Sequence, residues 1–80
     1  MDSAAVTLLV RRLFLQGNQD IPLPPDADLL RMGVCDSLGF VRLASELEQM
    51  VPGLRVHDAE VTPENLGSIE AIVGFLAQRS

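Results

Sequence analysis

The stretch Gly33 to Phe40, GVCDSLGF, gathers most of the chain's reactive side-chain types: a thiol at Cys35, a carboxylate at Asp36 and a hydroxyl at Ser37. His57, the only histidine, lies twenty residues further on. A nucleophilic serine needs a general base in reach and a third group to orient that base. Asp36 is adjacent, but a carboxylate of ordinary pKa is a weak base for a hydroxyl, and no G-x-S-x-G elbow is present. Self-contained hydrolase chemistry is therefore not expected. Cys35 near a helix start has one influence lowering its pKa and, in Asp36, one raising it. The expectation is an ordinary small buried residue. Cys35 and His57 are too few to hold a metal, and no C-x-x-C or H-x-x-x-H spacing exists, so no metal site is expected. His57 reads as a surface loop residue close to acids.

What remains for Ser37 is a cap or a handle. Asp and Ser are enriched at helix starts, and that reading is complete in itself. The alternative is an attachment point. A serine at a helix start lies beside free backbone N–H groups and the positive end of the helix dipole, where a phosphate ester is well placed.

The elements around this segment are helical. Val6, Leu9, Val10, Leu13 and Phe14 form one face of a first helix, with Asp2 or Ser3 to cap it and Gly17-Asn18 to end it. Leu8 and Leu15 fall off that stripe, and Arg11 and Arg12 read as its wet side. Residues 18 to 35 form a long connection with three prolines, which excludes a continuous helix; DLLRMG reads as a single turn. Leu23, Leu29 and Leu30 are expected to pin this connection to the core. The second helix is predicted from Ser37 to about Val51, capped by Asp36 and stopped by Pro52-Gly53. Phe40, Leu43, Ala44, Leu47 and Val51 face inward; Leu38, Val41, Arg42, Ser45, Glu48 and Gln49 face out. LRVHDAEV is extended or irregular, and Asp58 and Glu60 form a small acidic cluster there, most simply solvated. A short helix follows, capped by Thr62 with Pro63 in its first position. Ser68 caps the last helix, with Ile69, Ile72, Val73 and Leu76 on one face and Phe75 extending it. The fold class is all-α, a small four-helix bundle of three main helices and one short one with a long first loop.

Eighty residues make one domain, 1–80, too small for a deep enclosed active site. The net charge of −5 argues against nucleic acid and anionic membranes as partners. One cysteine gives no sign of secretion, and the N-terminal run, interrupted by two arginines, suits neither a signal peptide nor a membrane span. A cytoplasmic monomer is expected, and Met1 with compact ends suggests a free-standing chain.

LLRMGVCDSLGFVRLASELE resembles the segment around the modified serine of acyl carrier proteins, whose core motif is Asp-Ser-Leu at the start of the second helix. VTPENLGSIEAIVGFL is similar to the end of many stand-alone carriers, and the likeness runs over residues 5 to 78. Asp-Ser-Leu alone is weak; joined to LASELE, the spacing to PENL and an acidic chain of this length, it is strong. The resemblance implies that Ser37 carries 4′-phosphopantetheine, donated by coenzyme A through a separate phosphopantetheinyl transferase. The arm's thiol would hold an acyl or aminoacyl group as a thioester. A loading enzyme and a downstream synthase or transferase would be the other partners, and the chain itself would catalyse nothing. Asp36 would help position the transferase. The outer face of helix two, with Leu38, Val41, Arg42, Ser45 and Glu48, would dock partners.

The chain departs from the commonest carrier pattern in having two residues, Val34 and Cys35, between Gly33 and Asp36, as D-alanyl carriers and some discrete natural-product carriers do. Gly39, Arg42 and Gln49 stand where acids are frequent. That implies a partner surface with less positive charge, with an acid opposite Arg42. Service in polyketide, nonribosomal peptide or related secondary metabolism is expected ahead of housekeeping fatty-acid synthesis. An aminoacyl or peptidyl carrier and an unmodified helical interaction module are the alternatives. Carriers of this kind can open to shelter a fatty chain between helices. Phe40 would fill part of that space, so short or polar cargo is expected, although a simple core role gives it the same packing.

Overall fold

Each helix begins where a short polar side chain can accept a backbone N–H and the apolar period then takes over. The computed structural model describes residues 1–79; Ser80, last residue of the expected domain, lies outside them. Helix α1 spans Ser3–Phe14, α2 Ser37–Met50, α3 Pro63–Leu66 and α4 Ile69–Ala77, with a single 3₁₀ turn at Asp58–Glu60. No strand occurs among the described residues, and none of their helices is long and apolar enough to cross a membrane. The architecture is a small all-α bundle of four helices.

The four helices are capped by Asp2, Asp36, Thr62 and Ser68, each accepting from the backbone N–H three residues on. This removes one of the orphan donors of every helix start. Pro63 occupies the first turn of α3, where its missing N–H costs nothing. Helix α1 stops three residues before Gly17. The Arg11 carbonyl accepts from both Leu15 and Gly17, and Gln16 takes up a left-handed conformation, φ 54°. Helix α2 ends at Met50, with Val51 as its half-buried cap.

The core is made by the faces that the helical period selects. Val6, Leu9, Val10 and Leu13 of α1 meet Phe40, Leu43, Ala44 and Leu47 of α2, with Leu66 of α3 and Ile69, Ile72, Phe75 and Leu76 of α4. Each such side chain, fully buried, contributes about 1.5–3 kcal/mol of transfer free energy. No buried polar or charged residue interrupts this core among the described residues.

The long connection is held by backbone bonds as well as by leucines. The Leu29 N–H donates to the Gly67 carbonyl at 2.8 Å, and the Glu70 N–H to the Pro25 carbonyl at 2.9 Å. Gly67 must come this close to its own helix start: a Cβ there would meet the Pro63 carbonyl oxygen at 2.3 Å. Leu23 and Leu29 are buried as expected, but Leu30 is not, with 43% of its surface exposed. The turn at 28 to 34 is closed by bonds from Met32 to Asp28 and from Val34 and Cys35 to Leu29, which turns Leu29 inward and carries Leu30 outward. Arg11 is likewise more than wet surface. Its Nη1 donates to the carbonyls of Asn18 and Ile21, at 2.9 and 2.7 Å, and so ties the first part of the loop to α1.

Candidate functional site at the start of helix α2

The Asp36 side chain accepts from the Gly39 N–H at 2.7 Å, and its carbonyl accepts the first helical bond, from Phe40. Capping is thereby complete without the neighbouring serine. Ser37, first residue of α2, is exposed, and its hydroxyl has no hydrogen-bond partner among the described residues. The N–H groups of Ser37 and Leu38 are the two first-turn donors that the cap leaves over. The result is a solvated hydroxyl beside free donors at the positive end of a helix of 14 residues.

Gly39, two residues on, lies on the buried side of the same turn. A Cβ on it would come within 2.8 Å of Cys35 Sγ, 3.1 Å of Phe14 and 3.3 Å of the Asp36 carboxylate. The first turn of α2 is thus packed against the end of α1 and the preceding cysteine, and a larger residue at that point would have to displace the Cys35 side chain. Cys35 is 4% exposed, and its thiol is pushed up to about 11, first by burial and then by the charge of Asp36. At neutral pH it is a thiol held in the core, making only a long contact of 3.5 Å to the Asp36 carbonyl. It offers no thiolate nucleophile.

Of the residues expected on the outer face, Leu38 is 79% and Val41 57% exposed, and Asp36, Arg42 and Ser45 are exposed with them. Leu38, Val41, Arg42 and Ser45 follow one another at i, i+3, i+4 and i+7 and form one stripe. Glu48 is solvent-exposed too, but its Oε2 accepts from the Val56 N–H at 2.8 Å and secures the loop after α2. It lies about 16 Å along the helix from Ser37. Two apolar residues outside the helix join the exposed set, Leu30 and Met32 in the turn that feeds it. The spacing in DLLRMG carries no helical period, so nothing in the sequence separates the buried Leu29 from its exposed neighbours.

His57 is exposed at the start of the 3₁₀ turn, where its backbone N–H donates to Glu60 Oε1 at 3.0 Å. No hydrogen bond joins it to Ser37 among the described residues. The acidic pair beside it is only half available: Glu60 forms an ion pair with Arg79, whose guanidinium stands 4.8 Å over the Phe75 ring. No cluster of three or more metal-ligating side chains occurs among the described residues. Comparison with protein-family models, with curated proteins and with solved structures gave no match.

Proposed function

We propose that this chain is a discrete carrier protein of the acyl carrier type. Ser37 is the attachment point for 4′-phosphopantetheine, and the arm's thiol holds a biosynthetic intermediate as a thioester. The observation that carries the reading is the Ser37 hydroxyl, left exposed and unbonded by the Asp36 cap and set beside the exposed Leu38 and Val41 rather than, like Ser3, beside a carboxylate-lined groove. The residues present suit a phosphodiester. Two first-turn N–H groups and the helix dipole favour negative charge there. Supporting this is the resemblance of residues 29 to 48 and 61 to 76 to carrier segments.

The absence of a hydrogen-bonded base at Ser37 suits a serine that an external phosphopantetheinyl transferase activates. A loading enzyme and a downstream synthase or transferase complete the set of partners, in the cytoplasm and in a polyketide or other secondary pathway. Aminoacyl or peptidyl loading, including the D-alanyl kind, is the reading with the same fold and another cargo; the Val34-Cys35 spacing is shared by D-alanyl carriers and some natural-product carriers and suits both readings. The buried Phe40, 3% exposed, keeps the space under α2 filled, so the cargo is short or polar and rides outside the bundle. Large core shifts across α2 and α4 in the spectrum of octanoyl-loaded protein would contradict that.

The test of the carrier reading is intact mass after incubation with coenzyme A, magnesium and a phosphopantetheinyl transferase. A gain of about 340 Da in the wild type, lost in Ser37→Ala, is the expected result. No gain with any transferase would instead favour an unmodified helical interaction module.

A further inference from the structure

The connection from α2 to α3 changes character at Arg55. On either side the chain is anchored by buried leucines, Leu54 before and Leu66 after. Between them none of residues 55 to 60 is buried. This segment closes mainly on itself. The Glu60 N–H donates to the His57 carbonyl at 2.8 Å, the Val61 N–H to the Asp58 carbonyl at 3.1 Å, and the His57 N–H to Glu60 Oε1 at 3.0 Å. A segment that buries so little apolar surface belongs to the low-stability end of a fold. Its position therefore depends on polar contacts from outside.

Three side chains supply them. Glu48 Oε2 accepts the Val56 N–H at 2.8 Å, and the Asn65 side-chain amide donates to the Glu60 carbonyl at 2.9 Å. Arg79, just past the end of α4, holds both ends of the segment at once. Its Nη1 donates to the Arg55 carbonyl at 3.2 Å and its Nη2 pairs with Glu60 Oε2, while the guanidinium lies over the Phe75 ring. Arg79 is also one wall of a recess of about 250 Å³, which it shares with Val51, Pro52, Leu54 and Leu76. The other charges of the segment add no tie to the bundle: the Arg55 guanidinium and the Asp58 carboxylate are exposed and form no ion pair among the described residues.

We propose that residues 55–60 form a strap across the ends of α2 and α4, that Arg79 is its latch, and that release of this one guanidinium lets the strap swing out while the helices stay folded. Opening withdraws the guanidinium from the Phe75 ring and from the wall it shares with Leu54 and Leu76, and so uncovers an apolar recess at this end of the bundle. Both partners of the ion pair are part-exposed, with 29% and 24% of their side-chain surface accessible. Such a pair is screened by salt and is worth little enough to open without unfolding the chain. The strap follows the end of α2, and Ser37 stands at its start, so the inference is independent of the carrier reading.

Hydrogen exchange of backbone amides, read by NMR on the full chain, tests this. Arg79→Gln should speed exchange at His57, Glu60 and Val61 about tenfold, and at Val10, Leu43 and Leu47 by less than about twofold. Glu60→Gln keeps an oxygen for the His57 N–H and removes the ion pair, and it should give the same pattern. The double variant should show no more than the larger single effect, because the same contact is lost in each. Arg79→Lys keeps the charge without the paired donors and should fall between wild type and Arg79→Gln. Raising salt to about 1 M should speed exchange at the strap in the wild type and leave Arg79→Gln unchanged. Equal acceleration at every amide would make Arg79 a general support of the bundle and overturn the proposal. So would unchanged strap exchange in both single variants, or additive effects in the double variant. Ser37→Ala is expected to leave all of these rates as they are, so the outcome does not depend on whether Ser37 takes an arm.

Discussion

Asp-Ser occurs twice in this chain, at Asp2-Ser3 and at Asp36-Ser37, and the two copies open their helices in the same way. Asp2 accepts from the Ala5 N–H at 2.8 Å and Asp36 from the Gly39 N–H at 2.7 Å. In both, the serine is the first helical residue and is exposed. Local capping geometry therefore does not single out Ser37. Surroundings do. Ser3 borders a groove with Pro25, Asp26, Glu70 and Val73, where carboxylates would repel a phosphodiester. Ser37 is attended by Leu38, Val41 and the unpaired Arg42, and it stands on a first turn packed tightly over Cys35. The lesson is that the dipeptide specifies a helix start, while the residues next to it decide whether the hydroxyl can be more than that.

The comparison can be sharpened in alkali, where the largest difference is expected. Asp36 follows a buried thiol and Asp2 follows the exposed Met1. The folded pKa of Cys35 is raised from 9.0 to about 11. Below about pH 9 the thiol is protonated in both states and burial of its neutral form is fully retained. As pH rises from about 9 through about 11 the unfolded chain releases this proton first, so stability falls, by about 3 kcal/mol at most. The chain has no lysine or tyrosine to blur the effect. Denaturant titrations across this range should show the loss in wild type and a flatter profile in Cys35→Ala; equal slopes would contradict the buried thiol.

The third helical residue provides the next contrast. At α1 it is Ala5, with its Cβ in place; at α2 a Cβ would collide with Cys35 Sγ. Gly39→Ala is expected to destabilise by about 1–2 kcal/mol, because overpacking strain outweighs the gain of about 1 kcal/mol in helix propensity. Combined with Cys35→Ala, the loss should be smaller than the sum of the single changes. Ala5→Gly should cost only the propensity term. A stabilised Gly39→Ala chain would show that the two helix starts are equivalent after all.

The smallest effect separates the caps themselves. Asp36→Ala is expected to cost about 1 kcal/mol and Asp2→Ala about half of that, since α1 begins at the fraying end of the chain. Thermal melts of the two variants decide it, and equal losses would remove the distinction.

Much of the fold was legible in the sequence because the helical period selects a face without reference to neighbours. The inward sets of α1, α2 and α4 follow from spacing alone, as do the caps Asp36, Thr62 and Ser68. What the sequence concealed depends on how distant segments meet. Leu30 and Leu29 are adjacent and equally apolar, and only the closure of their turn onto the Leu29 carbonyl separates them. Arg11 as a loop staple, Glu48 on the Val56 N–H and Glu60 with Arg79 are contacts between residues 7 to 19 positions apart that no local pattern announces. At the site itself, the motif located Ser37 and Asp36, but the fit of Gly39 against Cys35 and Phe14 required the packed helices.

The claim at the centre of the account is that two serines of the same local geometry differ in use. It is tested most directly by fragment mass spectrometry of the wild-type chain after exposure to coenzyme A and a phosphopantetheinyl transferase. The account predicts the arm on the fragment containing Ser37 and none on the fragment containing Ser3. An arm on Ser3, on both serines equally, or on neither would contradict it.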